Sequence, residues 1–197
     1  MRKIVVLKTT KLLCALWLAG LGVASTHFPD YPVQPVREYR FKVEQHGVII
    51  AAEPVDETQA QKEYFRADLR ARGYLPVLLI IENASGSEEY LFDSSAVGLA
   101  EGFEIEGKGA RKTANAKTSG GIIDLTLLKA DGSIHDVAVR ENLIKKHIRS
   151  STLGPGAIVH GFVYVPVATE GARAEVHLQV PLTNAKSGEI EVFNISF

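Results

Sequence analysis

Cysteine is almost absent from this chain of 197 residues: the single one, Cys14, sits near the amino terminus. Past residue 24 no disulfide, thiol nucleophile or cysteine-based metal site can form. A surplus of positive charge is missing as well. The chain carries 22 Lys and Arg against 23 Asp and Glu, and residues 1–24 take four of the bases and no acid, which leaves 18 against 23, a formal −5. This mild acidity argues against a nucleic-acid or anionic-membrane binder. There is no Gly-x-Ser-x-Gly elbow, no Gly-x-x-x-x-Gly-Lys-Ser/Thr phosphate loop and no repeat period. At 46% hydrophobic and 23% charged, the chain is too apolar for disorder.

The amino terminus gives an address. Arg2, Lys3, Lys8 and Lys11 form a basic region, residues 12–24 are apolar, and Gly22 and Ala24 place small residues where a signal peptidase reads. This pattern predicts a secretory signal cleaved after Ala24. An uncleaved anchor is the alternative, but a span needs roughly 20 apolar residues and this run is shorter. Cys14 follows Leu13 near the start of the apolar run, which is the wrong place for lipid attachment. The remaining chain must be held by its core alone, and about 170 residues suffice for one domain.

Residues 74–83, Tyr-Leu-Pro-Val-Leu-Leu-Ile-Ile-Glu-Asn, organise the rest. The run is apolar, rich in β-branched residues and does not alternate, so it predicts a strand buried on both faces. Pro76 fits only near its start, and the turn chemistry of residues 83–88 closes it. Before it, residues 28–36 carry three prolines and predict an extended, mobile lead-in over 25–37. Residues 38–46 alternate, with Tyr39, Phe41 and Val43 on one face. Residues 46–47 turn into a second strand over 48–52. Asp56 and Gln59 suggest a capped helix over 57–71, with Lys62, Arg66, Arg70 and Arg72 as a basic face. Gly73 ends it.

After the central strand come short strands over 90–92 and 96–100. Residues 106–121 resemble a mobile Gly/Ala/Lys-rich loop. Lys108, Arg111, Lys112 and Lys117 at its tip are the candidate contacts for an anion or partner. Asp131-Gly132 between two β-rich runs, 122–128 and 134–139, signals a hairpin, while Leu125, Leu127 and Leu128 also allow a continuing helix. Residues 140–149 predict a short amphipathic helix with Leu143, Ile144, His147 and Ile148 on one stripe. Three strands follow. Residues 157–166 are assigned Ile158, His160 or Gly161, Phe162 and Tyr164 inward, although so apolar a run leaves the register open. Residues 174–180 have Val176, Leu178 and Val180 inward. Residues 190–197 have Ile190 and Val192 inward, with Ile195 and Phe197.

Many short strands, regular turn signals and few helices predict a mainly β fold, a β-sandwich with one or two short helices over 38–197. Three blocks carry a further resemblance. These are Phe65, Leu69 and Gly73 running into Leu75-Pro76-Val77 and Ile81-x-Asn83; the Leu153-Gly-Pro-Gly turn running into Gly161-Phe-Val-Tyr-Val-Pro166; and the final strands. They resemble exported bacterial proteins of unassigned role with an immunoglobulin-like core, over about two-thirds of the chain. The resemblance implies an immunoglobulin-like sandwich and export to the periplasm or cell envelope. It implies no activity.

Two functions fit these residues. The first is a non-catalytic, exported binding module for a protein, glycan or envelope component, with no cofactor, engaged through an edge strand or the loops at one end. The second is a metal-dependent hydrolase with a site around His160 and His177, joined by His135, Asp136 or Glu175. None of the six histidines stands at the spacing that places two ligands on one helix or strand face, which favours the first. Asn83-x-Ser85 and Asn194-x-Ser196 match the glycosylation sequon, but the bacterial style of the signal discounts them.

Overall fold

The computed structural model describes residues 28–99, 136–167 and 175–197. The expected signal, the loop over 107–121 and the first strand of the expected hairpin lie outside them. Nine strands are described: β1 (Phe41–Gln45), β2 (Val48–Pro54), β3 (Tyr74–Asn83), β4 (Tyr90–Phe92), β5 (Gly98–Leu99), β6 (Ser151–Leu153), β7 (Ile158–Pro166), β8 (His177–Asn184) and β9 (Ile190–Ser196). They form two antiparallel sheets. One has the order β1-β2-β3-β7. In the other, β8 is flanked by β9 on one side and by β4 and β5 on the other, with β6 outside β4. The chain is mainly β, as its pattern predicts.

The central strand occupies the expected residues. Val77, Leu78, Leu79, Ile80 and Ile81 are all buried, because each face of β3 has its own cover. On one face, Leu78 stands beside Phe162, whose ring meets Phe65 edge-on at 4.9 Å. Helix α1 (Thr58–Phe65) and helix α2 (Val137–Lys146) lie on this side. On the other face, Leu79 aligns through Ala52 with Phe41, whose ring reaches Phe197 of the second sheet at 5.9 Å. Burial of each such aliphatic side chain contributes about 2 kcal/mol. Pro76 stands at the third position of β3, where its carbonyl still accepts from the Val55 N–H at 2.8 Å.

Several local expectations are corrected. The helix expected over 57–71 stops at Phe65, and Arg66 turns left-handed with φ 52°. A 3-10 turn at Arg70–Arg72 then closes on Gly73 at φ 83°. The fully buried Gln61 explains the break. Its amide donates to the Val55 carbonyl at 2.7 Å and accepts from the Arg70 N–H at 2.9 Å, which folds the chain back on itself. The basic face is therefore not assembled: Arg66 lies over the Phe28 ring at 4.8 Å, and Arg70 approaches Asp56 at 3.8 Å.

The strand expected over 134–139 is overturned at residues 137–139. Asp136 caps α2 by accepting from the Ala138 and Val139 N–H groups, so the helix begins there. Its stripe is also shorter than expected. Leu143 is buried and Ile144 is exposed, while Ile148 lies past the helix end and donates its N–H to the Phe162 carbonyl at 3.0 Å. In β9, Phe193 and Ile195 face the core while Ile190 and Val192 are exposed, a slip of one residue that reverses the first half of the strand. In β7, Phe162 and Tyr164 point as expected but Ile158 is exposed, because the helical layer covers only the second half of that face. The expected strand over 96–100 is reduced to Gly98–Leu99 behind a 3-10 turn at Ser94–Ala96.

The described part of the proline-rich lead-in is pinned rather than mobile. Lys146 donates to the Pro29 carbonyl at 2.6 Å, and Tyr31 packs edge-on against Tyr64 at 4.8 Å and Phe162 at 5.4 Å. The strand expected from residue 38 starts at Phe41, because Val36–Glu38 form a 3-10 turn.

The β1–β2 hairpin crosses to the second sheet at its tip. His46 and Gly47 both have positive φ, 48° and 79°, as a two-residue turn matched to strand twist requires. The His46 ring contacts the Glu191 carboxylate at 2.7 Å, and Glu191 also accepts from the Tyr90 hydroxyl at 3.4 Å. The hydrogen bond and charge of Glu191 raise the His46 pKa above 6.5. A raised folded-state pKa means the tie is fully present below the unfolded value and fades as pH rises through the raised one. An NMR titration is expected to place the His46 midpoint above 6.5, and Glu191→Gln is expected to bring it back down.

Candidate functional site

Among the described residues, a cleft of about 620 Å³ opens at one end of the two sheets. It forms where β2 leaves its sheet. Pro54 ends the strand and Val55 turns the chain toward α1, so the β2 end, the α1 start and the end of β9 stand apart around a hollow. Tyr31, Phe41 and Phe197 supply aromatic surface, and Val55, Leu75 and Val176 supply aliphatic surface. Glu53, Asp56, Glu57 and Glu175 bring carboxylates, and Arg40 and Arg70 bring guanidinium groups.

The charges divide unevenly. Arg70 is opposed by Asp56 at 3.8 Å. The Arg40 guanidinium lies over the Phe41 ring, 5.0 Å from its centroid. Glu53 takes part in no hydrogen bond or ion pair among the described residues, and burial lifts its carboxyl above the usual range. The Tyr31 hydroxyl is pushed up to about 12, first by burial and then by the charges of Glu53 and its neighbours. Both effects have one origin: negative charge is held in a partly dry cleft. Beside the cleft, Glu175 stands 3.8 Å from the His177 ring.

The residues singled out in the sequence do not build this site. Lys108, Arg111, Lys112 and Lys117 lie outside the described residues. His160 and His177 belong to different sheets. His160 sits opposite Ile80 in β7, whereas His177 sits opposite Ser196 in β8 and contacts its hydroxyl at 2.7 Å. Among the described residues, no three His, Cys, Asp or Glu side chains converge as a metal site requires. Away from these residues, the Ser94 and Ser150 hydroxyls meet at 3.1 Å. The Asp93 carboxylate accepts from Ser95 and Ser150 and is held below its usual range by those hydrogen bonds. This knot ties the residues after β4 to those before β6.

Sequence reading missed the cleft because its lining comes from separate segments, none with a motif. The nearest signal was Glu53-Pro54, an acid at the end of an otherwise apolar strand. Comparison with family models, curated proteins and solved structures found no match to this chain. Among the described residues no helix is long and apolar enough to cross a membrane.

Proposed function

We propose that this chain is a non-catalytic binding module of the periplasm or cell envelope, exported by its first 24 residues, and that it holds its ligand in the cleft at the β2 end. The cleft carries the reading. It combines an apolar floor with a few polar groups, Glu53 and the Tyr31 hydroxyl among them, that have no protein partner among the described residues. Such groups orient a guest, and the rigid two-sheet frame keeps them in place without a bound partner. The resemblance to exported sandwich proteins agrees with this role.

Ala60 lines the cleft from α1 and is half-buried. An indole at this position would fill the hollow without cutting a hydrogen bond. Native mass spectrometry of the protein after exposure to small-molecule envelope extract is expected to show a bound species, and Ala60→Trp is expected to lose it while keeping the far-ultraviolet circular dichroism of the parent. A bound species retained by Ala60→Trp removes the cleft from the argument. Export is read separately: the periplasmic form is expected to begin at Ser25, seen by its intact mass.

A further inference from the structure

The cleft has aromatic walls, one partly buried carboxylate and two more at its exposed rim, and that combination selects a chemical class. Tyr31, Phe41 and Phe197 line the hollow, with the Phe41 and Phe197 rings 5.9 Å apart. Ring faces attract cations, and more strongly where water is thinned out. The molecule already uses this property, since the Arg40 guanidinium rests on the Phe41 ring at 5.0 Å. Three carboxylates then stand at separate points: Glu53 at the end of β2, Glu57 before α1, and Glu175 before β8.

With Asp56 and Arg70 opposing each other and Glu175 standing 3.8 Å from the His177 ring, Glu53 and Glu57 still outnumber the remaining guanidinium, Arg40. An anionic guest would meet this field and be repelled. A neutral guest could donate a hydrogen bond to Glu53 but would leave the charge of this partly buried carboxylate uncompensated. A single metal ion would need three converging ligands, which the described residues do not bring together. A guest with separated charged nitrogens meets all of these conditions.

Resting on the binding-module reading above, we propose that the cleft takes an aliphatic amine with two or more ammonium groups, laid along the Tyr31, Phe41 and Phe197 rings with one nitrogen on the Glu53 carboxylate. Its methylene chain covers the apolar floor, and the remaining nitrogens reach Glu57 or Glu175 at the rim. An ammonium on Glu53 supplies the donor that this carboxylate lacks, and the same charge opposes the field that raises the Tyr31 hydroxyl. A volume of about 620 Å³ leaves room for a chain of this kind with several waters.

Isothermal titration of the full chain, processed as the cell processes it, with spermidine as probe tests the proposal. Saturable one-to-one binding is expected. Glu53→Gln is expected to weaken it about tenfold, the loss of one charge-assisted hydrogen bond. Glu57→Gln, a change on the exposed rim, keeps the test alive if the Glu53 variant folds poorly. Magnesium chloride at equal charge and diacetylated spermidine are expected to bind at least about tenfold more weakly. Spermidine binding that is absent, unchanged in both variants, or matched by magnesium overturns the proposal. If spermidine fails while the extract-derived species is still lost in Ala60→Trp, the polyamine assignment falls and the binding cleft stands. If neither binds, both fall.

Discussion

Replacing Gly161 with alanine is expected to destabilise the protein by about 3 kcal/mol or more, at the upper end for adding atoms to a packed core. Gly161 lies inside β7, opposite Leu79. A Cβ built there would stand 2.6 Å from the Ile148 Cα and 2.7 Å from the Ile148 N. The obstacle is backbone, so no rotamer change relieves it. The Ile148 segment is also tied to β7 itself, since its N–H donates to the Phe162 carbonyl and His147 bridges to Phe162 in parallel register. Either β7 shifts away from β3, or residues 147–149 leave the sheet edge. Urea unfolding of Gly161→Ala against the parent measures the loss. A loss under about 1 kcal/mol would show that the segment after α2 is loosely attached, against the packing described.

Asn83 carries the second large effect. It is fully buried, and its side-chain amide makes all four bonds open to it. Its nitrogen donates to the Glu88 carbonyl at 2.8 Å and to the Leu153 carbonyl at 2.9 Å. Its oxygen accepts from the Ser85 N–H at 3.0 Å and the Ser85 hydroxyl at 2.6 Å. One residue of β3 thereby ties the first sheet to β6 and to the turn before β4. Asn83→Ala strands several buried polar groups and is expected to cost about 3 kcal/mol, or roughly 10 °C in Tm for a domain of this size. Asn83→Asp keeps the shape but sets a carboxylate against two carbonyl oxygens. It is expected to be less stable than Asn83→Ala at pH 7 and to recover part of the loss at pH 4. At that pH the buried acid, its pKa raised, holds a proton that it can donate. Thermal melts of the three proteins at both pH values decide this. An Asn83→Asp variant that weakens on acidification runs against the hydrogen-bond assignment.

These bonds show what the sequence could and could not disclose. The bounds of β3 were legible because Gly73 and Asn83 punctuate an apolar run whose β-branched residues suit a pleated surface. The inward residues of β8 were legible from strict alternation at Val176, Leu178 and Val180. In β9 the adjacent Val192 and Phe193 allow two alternating patterns. The presence of Glu191 favours the wrong one, because an acid is read as outward. In the structure Glu191 turns in at the sheet margin, where His46 and Tyr90 hold it. The break after Phe65 was hidden for a similar reason. Local propensity supports a longer helix, and only the side-chain bonds of Gln61 to the Val55 and Arg70 backbone reverse it. The cleft is the extreme case: each lining residue is ordinary in its own segment, and its property arises only when the β2 end, the α1 start and the β9 end come together.

The stretch after α2 has a consequence of its own. By laying Ile148 against Phe162, it occupies the open rim of β7, whose hydrogen-bonding groups would otherwise be available to another molecule. Detaching it would offer a long, uncharged β template to neighbouring copies. The short run 147–149 thus covers part of an edge at which other chains could pair.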